Sequence, residues 1–286
     1  MRVVVITGAG QGIGRAHAHA FAAAGARVVV NDLSADAAAA VVESVETAGG
    51  TASACPGDVA DWAFARELVT HAVTTYGGLD VLVNNAGLVR DRMLVGISEE
   101  EWDAAVRVNL KGHAAPLRHA AAYWRDRAKA GDPAAARVVN TSSGAGLFGS
   151  VGQVNYAAAK AGIVALTQVA AVELARYGVT VNGIAPTART PMTETVFADM
   201  MRAPSDGFDA MAPENVSPLV VWLGSVESGG VTGRVFEVGG GQVSLADGWR
   251  HGVPVDAGRR WRPEELGDVV HKLIADAPAP VPVYGA

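Results

Sequence analysis

Short runs, most of them rich in apolar residues, alternate along this chain with longer stretches whose apolar positions recur at helical spacing. Val3–Ile6 is apolar at every position, as a parallel strand covered on both faces should be. Further strands are expected at 27–31, Thr51–Ala54, 79–83, Arg137–Thr141, 179–184 and 234–238. The intervening segments predict helices at 15–24, from a Ser34 cap to about 48, at Trp62–Tyr76, at 99–129 and at 156–176. Repeated strand–helix alternation with buried strands predicts a doubly wound parallel sheet with helices on both faces.

The 286 residues are 50% hydrophobic and 18% charged, enough apolar surface for a large core and incompatible with a disordered chain. No linker or repeat divides them, so one Rossmann-like domain is expected over 1–241, with 242–286 as an extension packed on the domain or on a neighbouring subunit. The balance of 23 Lys and Arg against 29 Asp and Glu, net charge -6, argues against a nucleic-acid partner. A single cysteine, Cys55, excludes a disulfide framework and fits a reducing compartment. The apolar stretches are broken well short of the ~20 residues of a spanning helix, and Val3–Ile6 is too short for a signal core. A cytoplasmic protein without a membrane partner is expected.

Thr7-Gly8-Ala9-Gly10-Gln11-Gly12-Ile13-Gly14 stands between the first strand and the first helix. Glycines there permit a tight turn and let a pyrophosphate sit on the helix N-terminus. The spacing departs from the commoner G-x-G-x-x-G, because position 15 is Arg. Asp32 ends the second strand, where a carboxylate accepts bonds from a ribose and repels a 2′-phosphate, so NAD is expected over NADP. Tyr156 and Lys160 are one helical turn apart, with Ser143 upstream. Taking a hydroxyl proton as hydride leaves requires a base. A phenol of pKa ~10 serves only if a neighbour such as the Lys160 ammonium favours its ionised form.

Together these motifs resemble the short-chain dehydrogenase/reductase family over about residues 3–241. The resemblance implies cofactor roles for Gly8, Gln11, Gly12, Ile13, Gly14, Asp32 and Leu33, and for the adenine-contacting pair Asp58-Val59. It extends them to Asn85, Ala86 and Gly87 of the Asn84-Asn85-Ala86-Gly87 motif, to Tyr156 and Lys160, and to Pro186 and Thr190 beside the carboxamide. It implies a catalytic set of Asn109, anchoring a water, with Ser143, Tyr156 and Lys160, and a homodimer or homotetramer. Segments such as Gly87-Leu88-Val89-Arg90-Asp91-Arg92-Met93 are similar to the hydroxyacyl-CoA dehydrogenase unit of multifunctional enzymes, which implies a 3-hydroxyacyl-CoA or hydroxysteroid substrate. A ketoacyl-carrier reductase and a catalytically silent dinucleotide sensor are the rival readings. The first is opposed by Asp32, the second by the filled catalytic set.

Three features bear on substrate and assembly. Met192, Met200, Met201 and Met211, with Phe197 and Phe208, suit either an adaptable lid or a short packed helix. Arg250, His251, Arg259, Arg260 and Arg262 either meet CoA phosphates or line a solvated arm. The 156–176 helix is apolar on nearly all faces, which predicts an oligomer contact. No pattern of metal ligands is present, so no metal is expected.

Overall fold

The computed structural model describes residues 1–190, 203–246 and 248–285. Met192, Met200, Met201 and Phe197 lie outside them. Eight strands form one sheet in the order β3-β2-β1-β4-β5-β6-β7-β8. They are β1 Val3–Ile6, β2 Arg27–Val30, β3 Thr51–Ala54, β4 Val81–Asn84, β5 Arg137–Thr141, β6 Thr180–Pro186, β7 Val235–Gly239 and β8 Gln242–Ala246. All pairings are parallel except β7 with β8.

The doubly wound sheet expected from the sequence is what forms, and β1 shows why. Val4 and Ile6 enter one core with Phe21, Val41 and Leu223, while Val3 and Val5 enter the other with Leu68, Leu117 and Trp124. Both alternating sets of β1 residues are therefore apolar. The first core lies under helices α1 (Gly12–Ala23) and α2 (Ala35–Thr47). The second lies under α3 (Trp62–Tyr76) and the paired helices α5 (Gly112–Lys129) and α7 (Val154–Leu174). The chain reverses direction across the sheet between β1 and β4, which opens a crevice at their C-terminal ends.

Four elements differ from expectation. The 99–129 helix is three pieces: α4 (Glu99–Ala105), a wide π turn at Val106–Lys111, and α5. A short helix α6 (Gly144–Phe148) precedes α7, and another, α8 (Ser217–Leu223), covers the first core beside α1. Strand β8 adds an antiparallel edge past Gly241. The arm carries α9 (Leu266–Asp276), which has no buried residue. One expectation is corrected: by length and composition the helix Val154–Tyr177 is apolar enough to cross a membrane. It is nonetheless the connection between β5 and β6, and 39% of its apolar window is buried inside the fold.

Candidate active site

The crevice between β1 and β4 is closed at its base by Thr7. Its Oγ1 accepts from the Asn85 and Ala86 amides at 2.9 and 3.0 Å, while Asn85 Nδ2 donates to the Thr7 and Gly8 carbonyls at 3.0 and 3.1 Å. These bonds lock the glycine turn to the loop after β4. Gly8 (φ 60°) and Gly12 (φ 54°) occupy the left-handed region. Gly14 is required for space, since a Cβ there would stand 2.3 Å from the Gly8 carbonyl oxygen. The turn delivers the N-terminus of α1, which has neither a capping side chain nor an acidic residue in its first turn. By contrast, Ser34 caps α2 and Asp61 caps α3. Uncapped amides behind three glycines fit a pyrophosphate.

A cavity of about 460 Å³ runs from this turn to α7. Gly8, Gln11, Gly12, Ile13, Asp32, Leu33, Asp58, Val59, Asn85, Ala86, Gly87, Ser143, Tyr156, Lys160, Pro186 and Thr190 all line it. Gly14 and Asn109 stand just behind its wall. Asp32 points back at the turn, its Oδ2 accepting from Gly10 N at 2.9 Å and Oδ1 from Ser34 N at 3.0 Å. Arg27, a conceivable 2′-phosphate ligand, is turned away, donating to the Tyr76 carbonyl at 3.1 Å. Asp58 is paired with Arg107 at 2.6 Å, a neighbour the sequence did not reveal.

At the far end, Lys160 is fully enclosed and its Nζ donates to the Thr141 carbonyl at 2.7 Å. Ser142 Oγ donates to the Lys160 carbonyl at 2.8 Å, which fixes α7 on β5. Nζ stands 5.5 Å from the centre of the Tyr156 ring. The expected fall in the tyrosine pKa is corrected in this structure: burial first, and Asp91 with it, push the Tyr156 phenol up, opposed by a hydrogen bond with Ser143. The same burial pushes Lys160 down to about 7, so its charge is partly lost near neutrality.

Asn109 sits in the π turn, with Nδ2 donating to the Leu88 and Ala105 carbonyls at 2.8 and 2.9 Å. A Cβ on Gly87 would lie 2.7 Å from Asn109 Oδ1 and 3.5 Å from Lys160 Nζ, so the glycine brings the two side chains together. Two supporting residues went unnoticed in the sequence. Asn155, fully buried, accepts from Tyr156 N at 2.8 Å and donates to the Arg90 and Glu101 carbonyls, aiming the start of α7. His113, also fully buried, lies close enough for the Lys160 charge to help depress its pKa after burial itself. Neither stands in a recognisable motif; only their position four residues after Asn109 and one before Tyr156 marks them.

The low lysine pKa has a consequence for stability. An unfolded lysine keeps its proton to about 10.4, so between about 7 and 10 the unfolded chain binds the extra proton and stability rises with pH. The slope approaches ~1.4 kcal/mol per pH unit. Above ~10 the raised Tyr156 value acts in the opposite sense. Urea midpoints at several pH values should rise across this window more steeply for the native chain than for Lys160→Met. Parallel profiles would count against a buried cation.

Such a turn, acidic strand end and Ser–Tyr–Lys arrangement in an α/β crevice define an oxidoreductase that works with a nicotinamide dinucleotide. Residues 2–201 match the family model for short chain dehydrogenases, and the chain belongs to that family. It is 49% identical to the hydroxyacyl-CoA dehydrogenase ChsB1 of Mycobacterium tuberculosis over 93% of this chain and 86% of that protein. It is 43% identical to the peroxisomal multifunctional enzyme type 2 of Mus musculus over 85% of this chain, but spans only 32% of that longer protein. A crystal structure of a short chain dehydrogenase from Mycobacterium avium superimposes with a TM-score of 0.92 at 62% identity, covering 100% of this chain and 98% of that one.

Proposed function

We propose that the chain oxidises the secondary hydroxyl of a 3-hydroxyacyl-CoA, with NAD as the hydride acceptor. The observation that carries the cofactor choice is the Asp32 carboxylate, held at the glycine turn by Gly10 N in a cavity that ends at Tyr156. The relatives named for hydroxyacyl-CoA and multifunctional-enzyme activity support the thioester over a free hydroxysteroid.

The residues then divide the work. Uncapped amides of α1 receive the pyrophosphate, Asp32 the adenosine ribose, and the Asp58-Val59 pair the adenine side. Oxidised nicotinamide, when bound, would supply the hydride acceptor and a positive charge. Lys160 in its charged form, 5.5 Å from the ring centre, favours the Tyr156 phenolate against the burial that opposes it. Ser143 donates a hydrogen bond to the reacting oxygen and Tyr156 takes its proton. Lys160 holds the ribose and passes the proton on toward a water anchored at Asn109.

The assembly reading is a second copy of the chain against α5 and α7. Val169 and Val172 of α7 are 57% and 80% exposed, and a groove of about 800 Å³ between Leu117, Ala121, Leu166 and Ala170 runs beside them. In the arm, Arg259 and Arg262 both engage Glu265, at 2.7 and 2.6 Å, which lowers the charge offered to CoA phosphates.

The test is cofactor reduction with NAD and NADP against 3-hydroxyacyl-CoA thioesters and hydroxysteroids. NAD-dependent thioester oxidation is expected. Asp32→Ala should narrow the NAD preference by about tenfold or more, since each 1.4 kcal/mol of lost ribose binding and relieved repulsion is a factor of ten. An unchanged ratio would mean that the carboxylate does not face the ribose, and NADPH-specific ketone reduction would favour the carrier-protein reductase reading.

A further inference from the structure

We propose that the C-terminal strap, and Tyr284 above all, forms a wall of the substrate pocket and sets what size of apolar group on the reacting alcohol the site accepts. The inference rests on the oxidoreductase reading above but not on the thioester.

The reacting pair Ser143 and Tyr156 is joined by the loop 144–153, and none of that loop lines the dinucleotide cavity. The alcohol must therefore approach Ser143 and Tyr156 from the side of this loop. The loop is held from both flanks. On one, Arg92 N donates to the Gly152 carbonyl at 2.7 Å and Arg92 bridges Gln153 as a parallel pair. On the other, Ser150 bridges Tyr284, with Val151 N donating to the Tyr284 carbonyl at 2.9 Å and Tyr284 N to the Gly149 carbonyl at 3.3 Å. A segment more than 130 residues downstream is thus tied by an isolated bridge to the loop that follows Ser143.

The side chains specify what this segment presents. The Tyr284 ring packs edge-on against Phe148 with centroids 6.2 Å apart. It also lies over Gly144, where a Cβ would come within 2.7 Å of its Oη, so the residue following Ser143 has no room for a side chain. Val283 sits over Gly149 in the same way. Tyr284 keeps 47% of its surface open, and Met93, Val151 and Val283 are exposed beside the same loop. Burial, with Glu237, pushes the Tyr284 phenol up, so it stays neutral at physiological pH. A neutral aromatic edge within an apolar lip suits a hydrocarbon chain or ring better than a charged headgroup. Helix α9 contributes no buried residue, so the arm is anchored at its end by these bonds.

The experiment compares the full chain with a variant ending at Pro282, with Tyr284→Ala and with Tyr284→Phe. Each is assayed with NAD against 3-hydroxyacyl-CoA thioesters of increasing length, alongside amide hydrogen exchange of residues 149–151. Truncation and Tyr284→Ala should change kcat/KM for the longest relative to the shortest thioester by about tenfold, the scale of a few lost apolar contacts, with KM for NAD unmoved. Tyr284→Phe should restore the profile, because the ring supplies both the apolar wall and the edge contact with Phe148. Exchange at Val151 should accelerate on truncation. An unchanged length profile, or unchanged protection at Val151, overturns the proposal, and the exchange reading requires no turnover. If the full chain oxidises only some other secondary alcohol, the thioester reading falls, and the strap is judged by the same comparison on a size series of that alcohol.

Discussion

Tyr156→Phe is expected to lower kcat by about 10²–10⁴-fold or more while leaving dinucleotide affinity within a few fold, measured by steady-state kinetics and by direct titration of NAD. The change removes one oxygen from a ring whose place on α7 is set by other groups. Asn155 fixes its backbone, and Lys160, Thr141 and Ser142 bind one another without it. Only the proton acceptor is lost. The structure sharpens the expectation, because the phenol is pushed up by burial and Lys160 is held to about 7. The ionised form therefore depends on positive charge beside the ring, from protonated Lys160 and from a cofactor that would be cationic when oxidised. Oxidation should accordingly speed up as pH rises, and this dependence should vanish with the hydroxyl. Retention of most activity by the phenylalanine variant would sink the mechanism.

Gly14→Ala is expected to abolish useful dinucleotide binding. Two effects oppose each other at this position. Alanine in a helix interior gains ~1 kcal/mol over glycine. Its Cβ, however, would meet the Gly8 carbonyl oxygen at 2.3 Å, Asn85 Nδ2 at 2.6 Å and the Ala9 Cα at 2.9 Å, two of them backbone atoms that cannot rotate aside. Relieving such overlap costs ~1–3 kcal/mol, so the clash wins. The relief must come from moving the turn off β4, and a misplacement of ~1 Å at a positioning element costs on the order of 10²-fold. Calorimetric titration should show NAD affinity lost by at least that factor, with a melting temperature a few degrees lower. Tight binding with unchanged melting would mean that the turn is looser than its bonds to Asn85 suggest.

The sheet was legible because its strands are short and most are rich in Val, Ile and Leu, and the glycine turn because left-handed backbone at Gly8 and Gly12 and the lack of room at Gly14 beside the Gly8 carbonyl leave a glycine spacing in the sequence. Ser143, Tyr156 and Lys160, which the fold brings to one cavity, were legible because residue type and spacing are both constrained. What escaped detection depends on contacts distant in the chain. Asn155 is an ordinary polar residue until its bonds to Arg90 and Glu101 are seen. The pairing of Asp58 with Arg107 joins residues 49 positions apart. Strand β8, with Val243 and Leu245 both largely exposed, has no buried face to give it a pattern. The fall of Lys160 to about 7 reflects complete enclosure, which spacing on a helix cannot report.

The wide turn at Val106–Lys111 bears on how this site tolerates change. It holds more residues per turn than the helices on either side, and Asn109 is the one it buries. Loss of one residue there would let the segment close into ordinary helix with the flanking helices still facing as before, because the wide turn holds its extra residue within nearly the same rotation. Ser98 would keep its place as the cap of α4, and Leu117 and Trp124 would stay in the second core. Length in this segment is thus coupled to aim at one point: substitutions can vary the chemistry at Asn109, whereas a single deletion would spare the packing and remove the bulge that carries that side chain.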